Sequence, residues 1–145
     1  MNPLAQLLQK ALADTFSFYL KTHNYHWNVE GNDFPQYHEF LNDLYTDAFS
    51  AVDSIAELIR TLDVKVNASY TSFKNITSIQ EVDMIPADAR NMFMDLSRDN
   101  DTVILALLQA YRTAETMGEI GISNVLQDRI TAHQKHGWMI KSILK

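Results

Sequence analysis

Residues 41–62 read LNDLYTDAFSAVDSIAELIRTL. Leu41, Leu44, Tyr45, Ala48, Val52, Ile55, Ala56, Ile59 and Leu62 recur at steps of three and four. That spacing keeps one apolar face in line along a helix, here for about six turns. Strands need a period of two, and that signal is weak throughout the chain.

The same period appears on both sides. Upstream, Leu4, Leu7, Leu8, Ala11, Leu12, Thr15, Phe16 and Tyr19 form one stripe. Downstream, one stripe runs Phe93, Leu96, Ile104, Leu107, Leu108, Tyr111, Ala114, and a last one Val125, Leu126, Ile130, His133, Ile140, Leu144. Gly31 is expected to end the first helix, and Asp33 and Pro35 to open the second. Pro86 is expected to open the third, and Gly118 and Gly121 to break it from the fourth, with Ser123 as N-cap. Residues 63–85 are rich in Ser, Thr, Asn and Val and too long for a hairpin loop. They match a crossover along a bundle, with room for a short helix. Helix pairs joined by one long crossover predict an all-α, ferritin-like four-helix bundle, with residues 1–145 as a single domain.

Composition narrows the function. With 145 residues, 46% of them hydrophobic, the chain is long enough for a sizeable core. Cysteine is absent, which excludes a disulfide framework and thiolate metal sites. The net charge of −6 argues against a sequence-independent grip on nucleic acid and against an anionic membrane surface. No apolar run reaches the roughly 18 residues of a membrane span, and the N-terminus lacks signal-peptide character. The cytoplasm is the expected location.

A bundle alone does not make an enzyme, so the chemistry must come from a site. The sequence has no Gly-rich phosphate loop and no nucleophile elbow. It does have His26, His38, Asp53 and Glu57, with His23 and Asp47 nearby. Imidazole with carboxylate suits iron, manganese or zinc. The di-iron signature Glu-x-x-His is missing, because no Glu is followed three residues later by His.

Spacing then decides how the four residues can meet. His26 ends the first helix and His38 lies in the first turns of the second, so a short loop brings them near each other. Asp53 and Glu57 stack at i and i+4. Yet His38 and Asp53 are 15 residues apart on one helix, roughly 22 Å. A metal bond is about 2 Å long. One chain cannot close such a site. The angular offset is only about 60°, so two copies packed antiparallel would set the histidines of one against the acids of the other, twice over.

HNYHWNVEGNDFPQYHEF at 23–40, DSIAELIRTL at 53–62 and the closing KHGWMIKSIL together resemble the Dps proteins, the DNA-binding proteins from starved cells or mini-ferritins. The match covers nearly the whole chain. The resemblance implies a dodecameric shell with ferroxidase centres at its two-fold interfaces. Fe(II) would be oxidised by hydrogen peroxide or oxygen, and ferric mineral stored inside, which protects against oxidative damage. It implies His26 and His38 from one subunit as ligands, and Asp53 and Glu57 from its partner. Iron is the expected metal, with zinc or manganese as alternatives in the same site.

Three departures qualify the expectation. The family usually has an Asp one turn after the second His, where this chain has Asn42. A neutral carbonyl is a weaker ligand, and the neighbouring Asp43 points about 100° away. Three-fold pores in the family are lined with acids near the start of the last helix, where GEIGISNVLQD offers only Glu119, Asn124 and Asp128. Lys-rich tails that hold DNA are lacking, so little DNA binding is expected. The alternative reading is a Dps-like cage with impaired ferroxidase activity, acting as a structural, metal-binding or DNA-associating protein.

Other residues carry bland readings beside the functional ones. Trp27 borders the site and is a candidate electron donor or simple interface packing. His23 has a surface role or stands behind the ligands. Asp47 is expected as a solvated or interface acid, and Trp138 as core or interface. His133 and His136 are spaced for a metal but are read as structural.

Overall fold

A computed structural model describes residues 2–86 and 88–145; Met1 and Ala87 lie outside them. The described residues form five helices and no strand: α1 (Pro3–Asn28), α2 (Phe34–Thr61), α3 (Tyr70–Ile76), α4 (Ala89–Thr116) and α5 (Ile120–Leu144). α1 packs on α2, α3 and α4, and α4 on α5. This is the ferritin-like bundle, with α3 riding in the crossover.

Local chemistry sets the boundaries. Asn2 accepts hydrogen bonds from the amides of Leu4 and Ala5, and Pro3 needs no donor at the first helical position. α1 ends at Asn28, three residues before Gly31, whose φ of +117° turns the chain toward α2. Pro35 sits at the second position of α2. Ser69 caps α3 through the Ser72 amide.

Two expected boundaries move. α4 starts at Ala89 rather than at Pro86, because the Asp88 side chain accepts from the Asn91 amide and supplies the cap. Ser123 is not an N-cap: Gly121 and Ser123 lie inside α5, and Ser123 is buried. The break is made earlier. Gly118 takes φ +73°, its amide reaches the Glu115 carbonyl, and the Glu119 amide reaches that of Ala114. This paired closure ends α4, and α5 begins at once.

The core draws on all five helices, with Leu4, Leu8, Leu12, Phe18, Leu41, Leu44, Ile55, Ile59, Phe93, Leu96, Leu107 and Leu126 fully enclosed. Each contributes roughly 1.5–3 kcal/mol on removal from water. On α4 the buried line runs through Val103 and Ala110, while Ile104, Leu108 and Tyr111 sit at its edge.

α1 is buried on nearly every side, so its polar residues need internal partners. Asp14 takes bonds from Lys10, the Thr77 hydroxyl and the Ser78 amide, and so pins the end of the crossover to α1. Lys21 pairs with Asp99 at 2.6 Å and Asp95 at 3.2 Å, and Tyr25 donates to Asp95 at 2.5 Å. Burial first, then the hydrogen bond to Asp95, pushes the Tyr25 phenol far up, so it stays a donor. These ties fix the α1 end that carries His26.

Candidate metal centre

His26 and His38 meet across the α1–α2 turn. The Nδ1 of His26 donates to the backbone carbonyl of His38 at 2.8 Å, and the Nδ1 of His38 donates to that of His26 at 2.8 Å. A carbonyl only accepts, so both Nδ1 atoms carry a proton, which leaves Nε2 as the ligating atom of either ring. The rings lie 3.8 Å apart at 15°, and Phe34 covers His38 at 4.9 Å. His26 is buried and His38 half-buried. His38 also satisfies a carbonyl in the last turn of α1, which has no helical partner of its own.

A second aromatic layer backs this pair. His23 is sandwiched between Tyr45 and Trp27, each at 3.8 Å, and its Nδ1 lies 3.0 Å from the Tyr19 hydroxyl. Partial burial, then the neighbouring His26, lowers the His23 pKa and favours the neutral ring. The surface role expected for His23 is thereby corrected: it is half-buried in a stack. Trp27 and Phe49 are exposed by 62% and 57%, leaving an aromatic face beside the imidazoles.

Asn42 is half-buried one turn beyond His38, and Asp43 is exposed. Asp53 and Glu57 are exposed near the far end of α2. Among the described residues neither carboxylate has a hydrogen-bond or ion-pair partner. Among the same residues, no three His, Asp or Glu side chains gather closely enough to hold a cation. The chain thus brings the two imidazoles together and keeps the two acids together, but does not join the pairs. Glu119 stands at the N-cap position of α5 without a capping bond, and Asn124 and Asp128 are exposed one turn apart on that helix.

The other two histidines have a different fate. His136 bonds Asp47 through Nε2 at 2.7 Å, and Arg129 grips both Asp47 oxygens at 2.9 and 2.8 Å. Burial would raise the Asp47 carboxyl, but the bonds from His136 and Arg129 outweigh it and hold the group well below the usual range. Arg129 also donates to His133 Nε2 at 2.9 Å, while His133 Nδ1 meets Asn100 Oδ1 at 2.8 Å. Asp47 keeps a third of its side chain exposed, yet it is not idle: it links α2 to α5. Trp138 is 65% exposed, so it is not core in this chain. Sequence offered only the His133–His136 spacing as a signal, since Asp47 and Asn100 arrive from distant helices.

No helix among the described residues is long and apolar enough to cross a membrane. The model of the ferritin-like domain family matches residues 5–145. The DNA protection during starvation protein 2 of Bacillus anthracis is 30% identical over 139 residues, covering 96% of this chain and 94% of that protein. A Vibrio cholerae crystal structure superposes with a TM-score of 0.93 at 29% identity, covering 98% of this chain and 89% of that one; it is described as a DPS protein in a superfamily of ferritin-like diiron-carboxylate proteins. A Dps protein of Bacillus brevis gives a TM-score of 0.92 at 27% identity, with coverage of 98% and 95%.

Proposed function

Since this chain belongs to the ferritin-like domain family and, within it, to the Dps proteins, we propose that it is a ferroxidase that takes Fe(II) as substrate at sites shared between two copies. Residues 1–145 act as one ferritin-like domain. His26 and His38 of one copy supply imidazole nitrogens, and Asp53 and Glu57 of its neighbour supply carboxylates. The observation that carries this reading is the reciprocal His26–His38 pair, which turns both Nε2 atoms away from the backbone carbonyls, while two acids without a partner among the described residues stand at the other end of α2.

The donor set fits iron: imidazole and carboxylate bind both ferrous and ferric ions, and carboxylates favour the higher charge. Oxidation by peroxide balances when two Fe(II) each give one electron to one H2O2. The O–O bond breaks, water supplies the remaining oxygen, and ferric oxyhydroxide and protons are released. The open Asp53 and Glu57 carboxylates hold the cations, and the protons pass to water. Copies assemble into a dodecameric cage that stores the mineral, in the cytoplasm, with little affinity for DNA at net −6 per chain. Trp27, exposed beside His23, stands where oxidising equivalents would pass.

Asn42 favours a second reading, a cage whose oxidation centre is impaired, because one ligand position offers only a neutral carbonyl. Both are tested by mixing. Chains with His26→Ala and His38→Ala, and chains with Asp53→Ala and Glu57→Ala, should each lose peroxide-driven ferric absorbance. Reassembled together in equal amounts, half of the pairs are mixed and each mixed pair keeps one whole site. About a quarter of the wild-type rate should return. A mixture as inactive as its parents overturns the shared site; a wild-type rate no faster than the parents establishes the impaired cage.

A further inference from the structure

We propose that His133 is an acid-operated latch that holds α5 against α4 and α2 and releases it when the ring gains a second proton. This goes beyond iron oxidation and does not depend on it.

The latch is a closed set of bonds. His133 is fully buried and sits in the middle of α5. Its Nε2 faces Arg129 Nη2 at 2.9 Å, and a guanidinium only donates, so Nε2 must be a lone pair. The proton then sits on Nδ1 and goes to Asn100 Oδ1 at 2.8 Å, while Asn100 Nδ2 returns a bond to the His133 carbonyl at 2.8 Å. One side chain on α4 thus reads both the ring and the backbone of α5. Gly137 lets Asn100 approach: a Cβ there would lie 3.0 Å from its Nδ2. Arg129 continues the chain to Asp47 on α2.

Of the groups facing the ring, only one favours a second proton. α1 presents the Phe18 ring in a T-shaped contact at 5.6 Å, which offers no lone pair. α4 presents the neutral Asn100. α5 presents Arg129 and His136, and α2 presents Asp47, already held by both of them. Protonation sets donor against donor at Arg129 and adds a buried cation. Burial first, then Arg129 and His136, holds the His133 pKa well below its ordinary value, against the pull of Asp47. The sign follows. The unfolded or opened ring binds its proton near pH 6.5, the closed ring only at lower pH. The stabilisation is whole above about pH 6.5 and is lost as pH falls below it, by about tenfold in the opening equilibrium per pH unit. Asp47, whose pKa is depressed, acts in the same direction but only at far lower pH, below the ordinary carboxylate range.

The test is amide hydrogen exchange of α5 in the assembled protein from about pH 7.5 to about pH 5, corrected for intrinsic exchange. Wild type should lose protection by about tenfold per unit below about pH 6.5. His133→Gln, which can accept from Arg129 but cannot titrate, should remove that slope, and His136→Gln should keep it. Equal slopes in wild type and His133→Gln, or a slope abolished by His136→Gln alone, overturn the latch. If His133→Gln does not fold, nitrogen-15 spectra of the wild-type imidazoles decide. The latch requires an unprotonated Nε2 on His133 at about pH 6, and protonation already complete there overturns it.

Discussion

Four histidines of this chain form two pairs, and the pairs teach opposite lessons. His26 and His38 spend one nitrogen each on a backbone carbonyl and keep the other open. In the Asp47 cluster, both nitrogens of His133 are taken, and His136 joins it through a shared carboxylate. What separates them is the partner. A main-chain acceptor orients a ring and leaves it reactive; a ring enclosed by side chains from neighbouring helices becomes a structural joint.

Stability should separate the pairs most sharply. His133→Ala leaves a buried Arg129 N–H without its acceptor and the Asn100 Oδ1 without its donor, and opens a cavity, so unfolding by urea should show a loss of about 3 kcal/mol. A loss below about 1 kcal/mol would erase the contrast. Asn42→Asp adds a carboxylate beside the open pair only. Calorimetry with Fe(II) under anaerobic conditions should show tighter binding of a second ion by about tenfold, roughly 1.4 kcal/mol. An unchanged isotherm would mean that position 42 takes no part. The smallest effect belongs to His38→Ala without metal. It removes the bond to the His26 carbonyl at the end of α1, which should cost about 1 kcal/mol. A cost as large as that of His133→Ala would show that the open pair is as structural as the closed one.

Much of the fold was legible because apolar periodicity is a local signal. The stripes on α1 and α2 follow from spacing, and the crossover from its length, which left room for α3 without placing it. The starts of α4 and α5 were misread for a local reason too: Asp88 and the Gly118 closure outrank Pro86 and Ser123. The imidazole pair was legible from the short turn between His26 and His38. Their reciprocal carbonyl bonds were not, since ring orientation depends on the angle of two helices. The bonds of Asp47 were not legible, and Asp14 and Lys21 drew no notice, because each offsets its desolvation through a partner some 60 to 80 residues away. Nothing in a linear pattern announces such pairs.

The sandwich of His23 between Tyr45 and Trp27 also has a practical side. The chain holds only two indoles, and one of them packs at 3.8 Å against an imidazole in the wall of the candidate centre. Its emission will change whenever that wall is covered, charged or oxidised. The protein therefore carries its own optical reporter, and comparison with Trp27→Phe, which leaves Trp138 alone, isolates the signal without any added dye.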